Sequence, residues 1–197
     1  MKIRLMILGA ALALTVSTSI AQTNSVPAGE IAQRKQNQQD RIANGIESGQ
    51  LTAGETKNLE RREANLNRNE RQMRAADGGN LTASDHARLN RQENHISSKI
   101  YQDKHNANTA HYGNGVIGQR RENQQDRIAQ GIRNGQMTPG EASRQEGREQ
   151  GLNREIAGMR QANGGKLSAG QRSFVNQQQN KQSRQIYREK HNARVGH

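Results

Sequence analysis

The stretch Gln33–Glu55, QRKQNQQDRIANGIESGQLTAGE, returns further along the chain as QRRENQQDRIAQGIRNGQMTPGE, Gln119–Glu141. The register holds without a gap as far as SSKIYQDKHNA (Ser97–Ala107) and SRQIYREKHNA (Ser183–Ala193). About half of the aligned positions are identical. The chain is therefore a tandem duplication, and the unit that has to fold is a module of about 75 residues.

Four polar pairs predict helix starts of a single type. Each places Thr or Ser at the N-cap and Glu, Asp or Gln at the third helical position, where the longer side chain can accept from the backbone N–H of the cap. The pairs are Thr52 with Glu55, Thr82 with Asp85, Thr138 with Glu141, and Ser168 with Gln171. Pro139 falls at a first helical position, where its missing N–H costs nothing.

These signals predict an all-α fold: two tandem three-helix modules of long, polar, capped helices joined by a Gly-rich linker. We expect helices at Ile31–Ile46, Ala53–Ala76, Ala83–His105, Ile117–Ile132, Pro139–Ala162 and Ala169–His191. The expected segments are a signal peptide (1–21), an N-terminal linker (22–30), repeat 1 (31–107), a Gly-rich linker (108–118) and repeat 2 (119–197). The apolar residues are sparse, which favours long hairpins or a coiled-coil-like seam over a broad core.

The N-terminus predicts export. Lys2 and Arg4 precede the apolar run Leu5–Val16, and small residues follow up to Ala21. This is the pattern of a secretory signal peptide with cleavage after Ala21, and the run is too short to span a membrane comfortably. We therefore expect a periplasmic or secreted bacterial protein without a membrane span after signal removal.

Charge and composition bound the chemistry. The net charge is +12, and cleavage after Ala21 would remove only Lys2 and Arg4, leaving a strongly basic chain. There is no Cys, so thiolate chemistry and disulfides are excluded. The sequence has no nucleophile motif, and its Gly pairs lie between helices without a preceding strand, so a phosphate-binding loop is not predicted either. We therefore expect neither an enzyme nor a cofactor.

Two polar sets recur in both copies and are the candidate binding residues. One is a stripe along the third helix of each module: Asn90, Asn94, Ser97, Tyr101 and His105, repeated as Asn176, Asn180, Ser183, Tyr187 and His191. The other is a first-helix surface: Asp40, Arg41, Asp126 and Arg127. These groups either bind a polar ligand or satisfy one another between duplicated helices.

The segments LTAGE (Leu51–Glu55), LTASD (Leu81–Asp85), MTPGE (Met137–Glu141) and LSAGQ (Leu167–Gln171) resemble the motifs of the LTxxQ family, the Spy-type and CpxP-type periplasmic stress chaperones. More generally, the chain looks like secreted helical tandem-repeat proteins. The family resemblance implies a cradle or hairpin of long helices that binds unfolding proteins through charge and a shallow apolar surface.

The leading functional expectation is accordingly a non-catalytic, chaperone-like or envelope-stress protein that holds unfolded or acidic client proteins. The alternative is a binder of anionic envelope polymers or nucleic acid, because a strong positive charge attracts polyanions. A second alternative, a metal-sequestering protein, rests only on the histidines: His86, His95, His105, His111, His191 and His197. The sequence leaves the oligomeric state open.

Overall fold

A computed structural model describes residues 28–194, all of whose regular structure is helical. The six helices are α1 (Ala28–Glu47), α2 (Ala53–Ala76), α3 (Ala83–Lys104), α4 (Val116–Arg133), α5 (Pro139–Ala162) and α6 (Ala169–Lys190). The predicted all-α class is therefore confirmed. Within the described part of the chain, no helix is long and apolar enough to cross a membrane. The predicted signal peptide and His197 lie outside the described residues.

All four predicted capping boxes form. At the start of α2, the Thr52 backbone N–H donates to Glu55 Oε2 at 2.9 Å, and the Glu55 N–H donates to Thr52 Oγ1 at 3.3 Å. The other three pairs have the same reciprocal geometry. Because the boxes depend only on residues three apart, the starts of these four helices coincide with the prediction.

The other two helices begin inside the predicted linkers. α1 starts at Ala28 and α4 at Val116, so the last three residues of both linker ranges, 22–30 and 108–118, are helical. α4 has no side-chain cap, because its N-cap is Gly115. A helix that starts without a side-chain cap cannot be located from capping residues in the sequence.

Each repeat places its third helix across the other two. α3 packs on α1 and α2, and α6 packs on α4 and α5, whereas α1 touches α2 only lightly. The more extensive packing joins the two repeats: α2 lies along α5, and α1 lies on α4. The Lys57 carbonyl oxygen accepts from Ser143 Oγ at 3.0 Å, and Lys57 Nζ donates to Gln150 Oε1 at 3.3 Å. The start of α2 lies beside Asn153, late in α5, and so the two helices run antiparallel.

One apolar core serves both repeats, whereas the sequence favours long hairpins or a coiled-coil-like seam over a broad core. Its members include Ile42, Ile46, Leu59 and Ile100 from repeat 1 together with Ile128 from repeat 2, all fully buried. A smaller cluster of Leu152, Ile156, Leu167 and Val175 lies within repeat 2. The narrow apolar stripes of each repeat are thus buried against the other repeat, where α2 packs on α5 and α1 packs on α4.

The Gly-rich linker is held against the bundle. The Ala110 N–H donates to the Gly49 carbonyl at 2.8 Å, which ties the linker to the turn between α1 and α2. Further on, Arg121 donates to the Tyr112 carbonyl at 3.2 Å, and its guanidinium lies 5.4 Å from the centre of the Tyr112 ring. The linker therefore contributes to the contact between the repeats.

A layer of buried carboxyl groups lies on α2 and α5, and one of them, that of Glu149, pairs with Arg121 of α4 at 3.0 Å. Glu60, Glu63, Glu146 and Glu149 are each at most 1% exposed, and all four have at least one carboxyl oxygen without a hydrogen-bond partner. Burial raises the pKa of Glu63 and of Glu146 to about 8, and it raises the pKa of Glu60 and Glu149 as well. Glu60 also feels the charges of Glu63 and Glu146, so the carboxyl groups of the two repeats oppose one another's ionisation.

Candidate anion-binding clusters

The N-terminal part of the repeated polar stripe forms hydrogen bonds that join α3 to α1. Arg34 of α1 donates to Asn90 Oδ1 at 2.7 Å and also to Asn94 Oδ1. Arg41 donates to Ser97 Oγ at 2.6 Å and to the Ser97 carbonyl at 3.1 Å. These three stripe residues therefore accept hydrogen bonds from arginines of their own repeat, and the duplicated polar groups satisfy one another in this way.

Repeat 2 forms the same contacts. Arg120 donates to Asn176 Oδ1 at 3.4 Å and to Asn180 Oδ1, and Arg127 donates to Ser183 Oγ at 2.6 Å. Sequence reasoning did not single out Arg34 and Arg120, although both stand in the repeated Gln-Arg pair that opens the modules. Their identity in the two copies is the signal that could have identified them.

The C-terminal part of the stripe faces solvent. Tyr101 is 59% exposed and stacks on His105 with ring centres 4.1 Å apart. His105 Nδ1 donates to the Tyr101 carbonyl at 2.7 Å, which holds the ring in place at the end of α3. Tyr187, 57% exposed, and His191 repeat this geometry at the end of α6. Two identical aromatic platforms are thus available to a partner.

A pair of like charges lies beside each platform. Burial lowers the pKa of Lys104, and the positive charge of Arg41 lowers it further. In repeat 2, burial and Arg127 lower the pKa of Lys190 in the same way. The stem of Lys104 passes close to Gly45, where a β-carbon would lie 3.4 Å from its Cδ. Each lysine is therefore held near an arginine instead of being turned away from it.

We call Arg41, Tyr101, Lys104 and His105 the α3 cluster, and we call Arg127, Tyr187, Lys190 and His191 the α6 cluster. None of their four Arg and Lys side chains takes part in an ion pair between described residues. Two cations close together without a carboxylate attract an anion, and they do so most strongly at low salt.

The two aspartates of the predicted first-helix surface do not neutralise these clusters. Asp40 accepts from Gln36 Nε2 at 3.0 Å on α1. Burial raises the pKa of Asp126, and the neighbouring Glu122 and Glu47 raise it further. The arginines of the same predicted surface, Arg41 and Arg127, turn to the serines of the third helices. The predicted first-helix surface is therefore not one site: its arginines contact the third helices, and its aspartates do not contact those arginines.

The repeated KHNA endings have a structural partner as well. Asn106 Nδ2 donates to Glu55 Oε1 at 2.8 Å, and Asn192 Nδ2 donates to Glu141 Oε1 at 2.9 Å. Each third helix thereby docks its end on the capping-box carboxylate at the start of the second helix. This contact places Lys104 and Lys190 at the same point of both repeats.

The described histidines are scattered. His95 contacts Arg62, His111 contacts Thr109, and His105 and His191 stack on tyrosines. Within residues 28–194, no three His, Asp or Glu side chains are grouped so that they could hold a metal ion. The metal-sequestering alternative therefore finds no support in the described residues.

No protein-family model, curated protein or solved structure matches this chain.

Proposed function

We propose that the chain is an exported, non-catalytic binding protein for anionic polymers, which it holds through the α3 and α6 clusters. The observation that carries this proposal is the repeated Arg–Lys pair without a carboxylate beside an exposed Tyr–His stack. The cations attract the anionic groups of a polymer, and the aromatic stack can also contact the apolar faces of sugar rings where the polymer has them. Because the two repeats pack against each other, a long polymer that reaches both clusters would gain avidity over either alone.

The test is binding of long-chain polyphosphate and heparin, with neutral dextran as the control ligand, at low and high salt. We expect the double variant Lys104→Ala/Lys190→Ala to bind about tenfold more weakly, a loss of ~1.4 kcal/mol. The matched control is Arg61→Ala/Arg154→Ala, which removes the same charge from exposed positions outside the clusters. Equal losses in the two variants would assign binding to overall charge and would contradict the proposal, as would the absence of binding at low salt.

Client-protein binding is the second candidate, and a groove in repeat 2 supports it. Val116, Ile117 and Leu167 line a groove of about 470 Å³, and Arg160, Lys166 and Arg172 surround them. This joins an apolar patch to cations, as the chaperone expectation requires. Elsewhere the described Ile, Leu and Met side chains are largely buried, so the client surface would be small.

The discriminating assay follows the aggregation of an unfolding client protein in the presence of the mature chain. Protection that persists at high salt and falls in Val116→Ser would support client binding. Protection that is lost at high salt would indicate that binding is driven by charge and would not support the client-binding candidate.

A further inference from the structure

A groove between α2 and α3 in repeat 1 is lined by cations from both of its walls. It has a volume of about 510 Å³. Arg62 comes from α2, and Arg88, Arg91 and His95 come from α3. The three arginine side chains are exposed, whereas Ile96 at the base of the groove is only 3% exposed. The groove therefore combines an apolar base with a positively charged rim.

The residues that line this groove supply no counter-charge to its arginines. No carboxylate lines it, and among the described residues Arg62, Arg88 and Arg91 form no ion pair. Two acids of α3 are close to these arginines in the sequence: Asp85 is engaged with Thr82 in a capping box, and Glu93 pairs with Arg34 at 3.0 Å. The Thr82 hydrogen bonds and, to a lesser extent, the charge of Arg88 lower the pKa of Asp85. Three guanidinium groups around one groove repel one another unless an anion lies between them.

The walls of the groove are partly ordered before any ligand arrives. Arg62 donates to His95 Nε2 at 3.2 Å across the gap between α2 and α3. On the same side, Asn69 Nδ2 donates to Gln92 Oε1 at 3.0 Å, which leaves the Gln92 amide nitrogen free to donate. Asn65 adds another amide to the lining. Side chains that are already positioned lose less entropy on binding.

Repeat 2 has the same groove with less positive charge. The corresponding space between α5 and α6 is about 390 Å³ and is lined by Arg148, Glu155 and Lys181. Where repeat 1 has Arg88 and Arg91, repeat 2 has Phe174 and Gln177, and where repeat 1 has Asn69 it has Glu155. The duplication therefore provides a natural control: one scaffold, with a lining of three arginines and no carboxylate in one copy only.

We propose that the α2–α3 groove of repeat 1 binds a small organic phosphate, such as a phosphorylated sugar. Guanidinium groups match the oxygens of a phosphate, and a tetrahedral dianion can accept from several of them at once, whereas a single carboxylate satisfies one. A bare phosphate would leave most of the groove empty. The amides of Asn65 and Gln92 can pair with hydroxyl groups, and Ile96 can contact the apolar face of a ring.

This site is separate from the α3 and α6 clusters and does not depend on polymer binding. Calorimetric titration of the full mature chain with glucose 6-phosphate, inorganic phosphate and glucose tests it. We expect glucose 6-phosphate to bind more tightly than phosphate, and glucose not to bind. The variant Arg88→Phe/Arg91→Gln, which installs the residues of repeat 2, should weaken binding of the ester at least tenfold.

Two controls accompany that variant. Arg148→Ala/Lys181→Ala removes the same charge from the groove of repeat 2 and should leave binding unchanged, and Lys104→Ala/Lys190→Ala should also leave it unchanged. If the double substitution fails to fold, Arg91→Gln alone carries the test with an expected loss in the same direction. Absence of saturable ester binding, equal binding of glucose, or equal loss in the repeat 2 control would overturn the proposal.

Discussion

At the scale of single residues, the buried glutamates make the stability of this protein depend on pH. Glu63 and Glu146, both with pKa raised from 4.5 to about 8, hold a proton in the folded state that the unfolded chain gives up. Their contribution is fully present below about pH 4.5 and is lost as the pH rises through about 8. Other carboxylates act in the opposite sense: hydrogen bonds to Thr138 and Asn192 help to lower the pKa of Glu141 against the effect of its burial, so its contribution is lost on acidification.

We therefore expect stability to be greatest in mildly acidic solution and to fall between about pH 5 and pH 8. The measurement is the urea midpoint of unfolding across pH 4 to 9. A maximum at or above pH 7.5 would contradict the assignment of protonated carboxyl groups to the interface.

The variant Glu146→Gln isolates one of these groups. Glu146 Oε2 already accepts from Gln125 at 3.2 Å, and an amide at this position would keep an acceptor while removing the charge. We expect a gain of ~1–3 kcal/mol at pH 8 and almost none at pH 5. Glu155→Gln, at an exposed position of the same helix, should change neither value and serves as the control.

At the scale of the elements, α5 carries glycines in its interior that its counterpart α2 lacks. Gly158 has open space where a β-carbon would be. Gly158→Ala should therefore raise the free energy of unfolding by ~0.5–1 kcal/mol, because alanine loses less backbone entropy in a helix. Chemical denaturation of both proteins measures the difference.

Gly131 in α4 is the matched control. A β-carbon at this position would lie 2.8 Å from Cγ and Sδ of Met137. Gly131→Ala should therefore gain nothing or lose stability, although the helix propensity of the two residues changes identically. An equal gain at both positions would show that packing around Gly131 is looser than these contacts imply.

At the scale of the whole molecule, one ion pair distinguishes the two repeats from each other. Glu47 and Arg133 occupy equivalent positions of the duplication and pair across the α1–α4 contact at 2.6 Å. Two copies of repeat 1 would bring two glutamates together here, and two copies of repeat 2 would bring two arginines together. The pair therefore favours association of unlike repeats over association of like ones.

Charge reversal tests this. Glu47→Arg and Arg133→Glu should each destabilise the protein by ~0.5–1 kcal/mol, a modest value because both side chains are partly exposed. The double variant Glu47→Arg/Arg133→Glu should recover most of that loss, since the surroundings of the two positions are alike. A double-mutant cycle from urea unfolding gives the coupling, and additive losses would contradict the pairing.

The sequence by itself determined the elements of this protein. The caps at Thr52, Thr82, Thr138 and Ser168 involve residues three apart, and the duplication is visible without any structure, so the bounds of α2 and α5 were predicted to the residue. Tyr101 and His105 could be placed on one face, because helical spacing alone puts them there. These are short-range properties.

Only the tertiary structure decided how the two repeats meet and which polar residues remain free. Glu63 and Glu70 look alike in the sequence, yet Glu63 is buried with one carboxyl oxygen unpartnered, while Glu70 pairs with Lys35 at 2.8 Å. Asn90 and Tyr101 belong to one repeated stripe, yet the first meets Arg34 and the second faces solvent. Such differences arise because burial and pairing depend on residues distant in the chain, which helical periodicity does not encode.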